Sequence, residues 1–168
     1  MRTTWRILAV SALLLVSFGC QKDMPRPHAP RPRIVSYAPS ITQIIFDMGL
    51  GEHVVAVTGQ CELPTGQDRL RVGDALSVNA EAIVAAKPDM VLIQMRPSSM
   101  AAVRQMDPSI RIEHFTIETL SDIGLAIERI GGLLGKGELG LRKRLEFGRQ
   151  LEDLRQQTAG MDLSLIHI

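Results

Sequence analysis

Ser40, Gln60, Gln94 and Asp74 are the side chains through which this sequence could do chemistry, with Pro39, Cys61 and Arg96 beside them. They offer hydroxyl, amide and guanidinium groups, but no acid is coupled to a base. Such a set holds a ligand by hydrogen bonds and does not transform it. Taken singly, Pro39 and Ser40 are also what a turn would contain. Enzyme signatures are missing: there is no Gly-x-Ser-x-Gly elbow, no P-loop, no Gly-x-Gly-x-x-Gly after a strand and no His-Glu-x-x-His. His28 lies in a proline-rich stretch and His167 in the last six residues, so His53 and His114 alone are too few for a metal cage. The expectation is a binding protein, not an enzyme, with no cofactor and no metal site of its own.

Short apolar runs alternating with helical patterns must position these residues. Ile34 to Ala38 reads as a strand ending at Pro39, and Ser40-x-x-Gln43 as a capping box opening a helix. Ile41, Ile44, Ile45 and Met48 form one apolar face of that helix, which Gly49 ends in a left-handed conformation. Val54 to Thr58 is the next strand, and 59–76 is irregular. Asn79 starts a helix through Ala86 that Pro88 stops. Met90 to Met95 reads as a buried strand, Ser98 to Met106 as a short helix and Arg111 to Thr116 as a strand. Ile123, Ile127, Ile130 and Leu134 mark another helix. Gly131-Gly132 and Gly135-Lys136-Gly137 read as its termination. Alternating strand and helix predicts an α/β fold, a parallel sheet covered on both faces. Ligands of such sheets sit beyond the carboxyl ends of the strands. That rule gathers Pro39, Ser40, Gln60, Cys61 and Gln94 to Arg96 on one rim, with Asp74 nearby. Glu138 to Gln157 is a long charged helix with Leu141, Leu145, Leu151 and Leu154 as its apolar positions. It would run about 30 Å, either as a cap on this domain or as a strut to another.

The two ends read differently. Residues 1–20 have the form of an export signal: Arg2 and Arg6 precede the apolar run Ile7 to Val16, too short for a permanent span, which needs about twenty residues. Gly19 before Cys20 fits a lipoprotein signal in which the Cys20 thiol is lipidated. Ser17 and bulky Phe18 fit less well, and the alternative is an ordinary secretory signal. With Cys20 lipidated, Cys61 stands alone and no disulfide is expected. Residues 21–32 carry Pro25, Pro27, Pro30 and Pro32 and read as an extended tether, with Lys22, Arg26, Arg31 and Arg33 keeping it solvated. Residues 163–168, Leu-Ser-Leu-Ile-His-Ile, resemble a translated sequencing adapter, so the protein is expected to continue past about Asp162. A net charge of +1 with 22% charged residues gives no electrostatic reason to expect nucleic acid. Aromatics are only 4% of the chain, so the core must come from Ile, Val, Leu, Ala and Met.

From Arg33-Ile34-Val35-Ser36-Tyr37-Ala38-Pro39-Ser40-Ile41-Thr42 onward the sequence resembles the helical-backbone binding proteins for cobalamin, ferric siderophores and haem. Val54 to Thr58, Cys61, Pro64 and Val72-Gly73 follow in the same order. Asn79-x-Glu81-x-Ile83 followed by Lys87-Pro88-Asp89-Met90-Val91 is the most specific piece; Gln43 departs from the usual glutamate. The resemblance covers 33–157 and implies two α/β lobes joined by one rigid helix, with the ligand between them. It divides the chain into a lipoprotein signal (1–20), a tether (21–32), an amino-terminal lobe (33–137), an inter-lobe helix (138–157) and an end (158–168), with the second lobe missing. It implies that Glu81 meets an arginine of the permease of an ABC importer, and that Pro39, Ser40, Gln60, Gln94 and Asp74 face a metal chelate. A surface lipoprotein acting as a sensor or adhesion module, or an exported enzyme catalysing through a missing half, are the alternatives.

Overall fold

The computed structural model describes residues 31–74 and 77–159. Five parallel strands, β1 (Ile34–Ser36), β2 (Val54–Val57), β3 (Leu70–Arg71), β4 (Met90–Ile93) and β5 (Arg111–His114), lie in the order β3-β2-β1-β4-β5. The chain winds outward from β1 to β3, crosses back and winds outward again from β4 to β5. The winding therefore reverses between β1 and β4, and the expected α/β sheet is present. All four residues of β4 are buried because both faces of the sheet are covered. Alternation along the strands sends Ile34, Met90 and Leu92 into one core, with α1 (Pro39–Asp47) and α4 (Leu120–Leu133). Val35, Val91 and Ile93 enter the other, with α2 (Ala80–Ala85) and α3 (Ala101–Met106).

The helix starts show where local sequence rules held. Asn79 caps α2 as its sequence promised, its Oδ1 accepting the Ala82 N–H at 2.9 Å. The capping box expected at Ser40 and Gln43 does not form. Pro39 takes the first helical position behind an extended Ala38, so Ser40 already lies inside the helix. Its hydroxyl turns to Gln94, and the Gln43 amide donates to Asp47 at 2.7 Å. A capping box does form where none was read, between Thr119 and Asp122 at the start of α4. The Thr119 hydroxyl and the Glu118 and Thr119 N–H groups hold the Asp122 carboxyl below its usual range.

Arg33 is not a solvating charge of the tether. Its Nε donates to the Lys87 carbonyl at 2.9 Å and its Nη2 to the Ala86 carbonyl at 2.8 Å, closing the carboxyl end of α2. The Arg33 N–H in turn donates to Asp89 Oδ2 at 2.7 Å. The Lys-Pro-Asp signature is thus the place where the first and fourth strands are tied together.

The final helix, α5 (Gly137–Thr158), packs antiparallel along α4. Gly131 belongs to α4 and does not terminate it; the turn comes at Gly135, at φ +69°. A Cβ on Gly131 would stand 2.7 Å from Gly140 Cα, so Gly131 and Gly140 mark the closest approach of the two helices. Gly124 lies beside Phe147, and Glu128 pairs with Arg144. In that register the start of α4 faces residue 151 or so. Residues 152–158, all exposed, overhang the lobe by about 10 Å. Leu141 and Leu145 do not face the lobe: they are 46% and 56% exposed, and the packed face is Leu139, Gly140, Arg144, Phe147 and Leu151. No helix of the described residues is long and apolar enough to cross a membrane.

Candidate binding rim

Because every strand runs the same way, all five carboxyl ends open on one edge of the sheet. Ser40 follows β1 and Gln94 follows β4, the strands between which the winding reverses. Ser40 Oγ donates to Gln94 Oε1 at 2.7 Å, bridging that crevice. Pro39 and Ser40 are exposed, and Gln94 is half-buried. Ser40 and Gln94, both selected from the sequence, therefore touch directly.

Gln60 is exposed on the neighbouring loop after β2. Arg71 holds that loop: its Nη1 donates to the Thr58 carbonyl at 2.7 Å and to the Cys61 carbonyl at 2.6 Å. Nothing in the local pattern singled Arg71 out, because it sits in a two-residue edge strand whose side chains are both exposed. Beneath the loop lies a buried polar cluster. Thr42 Oγ1 is 2.8 Å from Ser36 Oγ and 3.1 Å from Cys61 Sγ, and Thr58 Oγ1 is 3.1 Å from the same sulfur. Cys61 is therefore a buried link in the floor of the rim.

Asp74 works within the fold. Its Oδ1 accepts the Ser77 N–H at 2.8 Å, and its own N–H donates to the Ser77 carbonyl at 3.0 Å, which closes a turn. Tyr37, the aromatic behind the rim, is 4% exposed and donates its hydroxyl to the Ser77 carbonyl at 2.9 Å. Burial first, and then the Asp74 carboxylate, push its pKa from 10.0 up to about 12. At neutral pH it is a neutral hydrogen-bond donor turned inward.

Glu81 lies in the first turn of α2, exposed, with no ion pair among the described residues. Since α2 starts from the rim, Glu81 stands on the same side of the lobe as the crevice. His53 is buried, with Nδ1 3.0 Å from the Pro32 carbonyl oxygen. Among the described residues no three His, Cys, Asp or Glu side chains converge on a metal position. A hollow of about 290 Å³, lined by none of the rim residues, lies where Ile44 and Met48 of α1, Ile123 and Ile127 of α4 and Phe147 of α5 meet. Cys20 lies outside the described residues.

A family model described as "Periplasmic binding protein" matches residues 34–120. The vitamin B12-binding protein of Vibrio vulnificus (strain YJ016) is 29% identical over 147 residues, 86% of this chain and 52% of the relative. The vitamin B12-binding protein of Vibrio cholerae serotype O1 (strain M66-2) is 32% identical over 134 residues, 77% of this chain and 48% of the relative. Among solved structures, the periplasmic vitamin B12 binding protein BtuF of Vibrio cholerae superposes with a TM-score of 0.67 at 31% identity, covering 78% of this chain and 52% of that one. The periplasmic heme-binding protein RhuT from Roseiflexus sp. RS-1 gives 0.64 at 25% identity, covering 75% and 49%. The chain spans about half the length of the curated relatives it matches.

Proposed function

The chain belongs to the periplasmic binding protein family, and on that footing we propose that it is one lobe of an exported solute receptor that hands a metal chelate to the permease of an ABC importer. The observation that carries this reading is the Ser40–Gln94 bridge at the point where the winding reverses, the place where open α/β sheets hold their ligands. The groups around it bind without a coupled acid and base, in keeping with a carrier. In this reading α5 is the strut and its overhanging end leads to a second lobe across the crevice. Pro39, Ser40, Gln60 and Gln94 form one wall; the turn-closing Asp74 is the weaker contact. Residues 1–20 direct export, and Cys20 carries a lipid that anchors the receptor through the 21–32 tether.

Relatives at about 30% identity are vitamin B12-binding proteins, so cobalamin is the first chelate to test, with ferric siderophores and haem beside it. Calorimetric titration of the whole protein with cyanocobalamin should show saturable binding of one equivalent. If cyanocobalamin, haemin and a panel of ferric siderophores all fail to bind, the receptor reading fails.

Docking is a separate matter. Glu81 projects from the rim side, where a carboxylate paired with a permease arginine would set register and speed encounter more than it adds affinity. Glu81→Arg should slow chelate uptake by cells about tenfold or more while the Kd of the purified receptor stays put. Wild-type uptake by that variant would remove Glu81 from the docking surface.

A further inference from the structure

We infer that Gln94 is the specificity-determining residue of this lobe, acting as a hydrogen-bond donor to an acceptor oxygen on the rim of the ligand, and that Ser40 is its positioning residue. This rests on the receptor reading and says which ligand groups the crevice selects.

Gln94 has one acceptor oxygen and two N–H donors on Nε2, and its carboxamide can be turned either way about its last bond. A serine hydroxyl could serve either end, and the structure sets the oxygen end against Ser40. Its hydroxyl donates to Gln94 Oε1 at 2.7 Å, which engages the acceptor end of the amide. Nε2 is left with both protons, and among the described residues no protein acceptor takes them. Gln94 is half-buried while Ser40 is exposed, so the donor stands at the mouth of the crevice with limited access to water.

Ser40 can do this only because it is not the helix cap. Pro39 occupies the first helical position and fixes Ser40 one residue further in, with its side chain free to reach across from β1 to β4. On the Ser40 side the floor is tied together: the Ser36, Thr42, Thr58 and Cys61 cluster joins β1 and the start of α1 to the loop after β2. The lobe therefore presents a fixed neutral donor to a carbonyl or carboxylate oxygen, and it disfavours a ligand that offers only donors at that point. A chelate with a carboxamide or carboxylate periphery fits, because its oxygens accept; one that presents an ammonium there does not, because it has no acceptor.

The test uses the whole protein and cyanocobalamin, whose edge carries carboxamides, with haemin as the carboxylate-bearing comparison. Gln94→Glu keeps an oxygen for Ser40 but has no donor to give. It should keep the wild-type melting temperature and weaken cyanocobalamin at least about tenfold, and haemin more, since like charges would then meet. Ser40→Ala should weaken binding about threefold to tenfold by letting the amide turn, and Ser40→Thr, which restores the hydroxyl, should recover it. Wild-type affinity in Gln94→Glu, or a Ser40→Ala loss that Ser40→Thr leaves unrepaired, overturns the inference. Failure of the wild type to bind any chelate overturns the receptor reading instead, so the two failures are distinguishable.

Discussion

Gly140→Leu should destabilise the protein by about 3 kcal/mol, while Gly148→Leu, eight residues on in the same helix, should stabilise it by a little under 1 kcal/mol. Leucine is a far better helix former than glycine, so both variants gain about 0.8 kcal/mol from propensity. Space decides the sign. A Cβ at Gly148 would meet nothing within 4 Å, and the residue is exposed. At Gly140 it would stand 2.8 Å from the Glu128 carbonyl oxygen and 3.1 Å from Gly131 Cα. Those obstacles are backbone atoms of α4 and cannot turn away as a flexible side chain could. α5 would have to lift from α4, opening the Phe147 contact with Gly124 and pulling Arg144 from Glu128. Denaturant midpoints of the two variants measure the difference. If Gly140→Leu unfolds at the wild-type midpoint, the close glycine crossing does not hold the strut. In the receptor reading the same variant should also weaken chelate binding, because a strut that lifts misplaces whatever it carries.

The crossing also shows what the sequence could and could not tell. Gly131 and Gly132 sit at the end of an apolar period, where glycine ordinarily stops a helix. Only the presence of α5 alongside turns Gly131 into a packing position. Leu141 and Leu145 likewise announced an apolar stripe but not its direction, and the lobe is met by Gly140 and Phe147 instead. Residues whose environment is set within a turn or two were legible: Ile41 and Ile45 are fully buried, β4 is apolar throughout, and Asn79 caps α2. Arg33 and Arg71 were not. The partners of Arg33 lie 53 and 54 residues away, and those of Arg71 lie 10 to 13 away, across a turn that no motif marks.

The rim was half legible for a related reason. Parallel strands and the rule for their carboxyl ends were enough to gather Ser40, Gln60 and Gln94 on one edge. The strand order was not written in any local pattern. The direct bond between Ser40 and Gln94 depends on β4 lying beside β1. Ser40 is also a lesson in competing signals. Ser-x-x-Gln is a sound capping motif, yet Pro39 before it has the stronger claim on the first helical position, which frees the hydroxyl for the crevice.

Gly73→Ala should cost about 3 kcal/mol and change how the sole tyrosine of this sequence ionises. Gly73 has φ +109°, a conformation an alanine adopts only with strain of about 1–3 kcal/mol. Its new Cβ would stand 2.4 Å from the Ser77 carbonyl oxygen and 2.5 Å from the Tyr37 hydroxyl, so the bond between those two groups must break, at about 1 kcal/mol more. The Gly73 carbonyl also accepts the Gly59 N–H at 2.8 Å, so the disturbance reaches the loop that carries Gln60. Tyr37 reports it optically. In the folded wild type its pKa is about 12, against 10.0 when unperturbed. Between those values the unfolded chain has released a proton that the folded one retains, so stability is intact below about pH 10 and declines as pH rises towards 12. With its hydroxyl displaced towards water in Gly73→Ala, Tyr37 should ionise closer to 10, and the alkaline decline should flatten. Tyr37→Phe should abolish that tyrosine contribution to the decline while costing only about 1 kcal/mol at neutral pH, since the ring stays packed. Phenolate absorbance followed through an alkaline titration, with denaturant melts at each pH, reads both quantities. A Gly73→Ala protein with the wild-type melt and an unmoved tyrosine titration would show that the 73–78 turn tolerates a side chain, and that Tyr37 is not held inward by the Ser77 carbonyl.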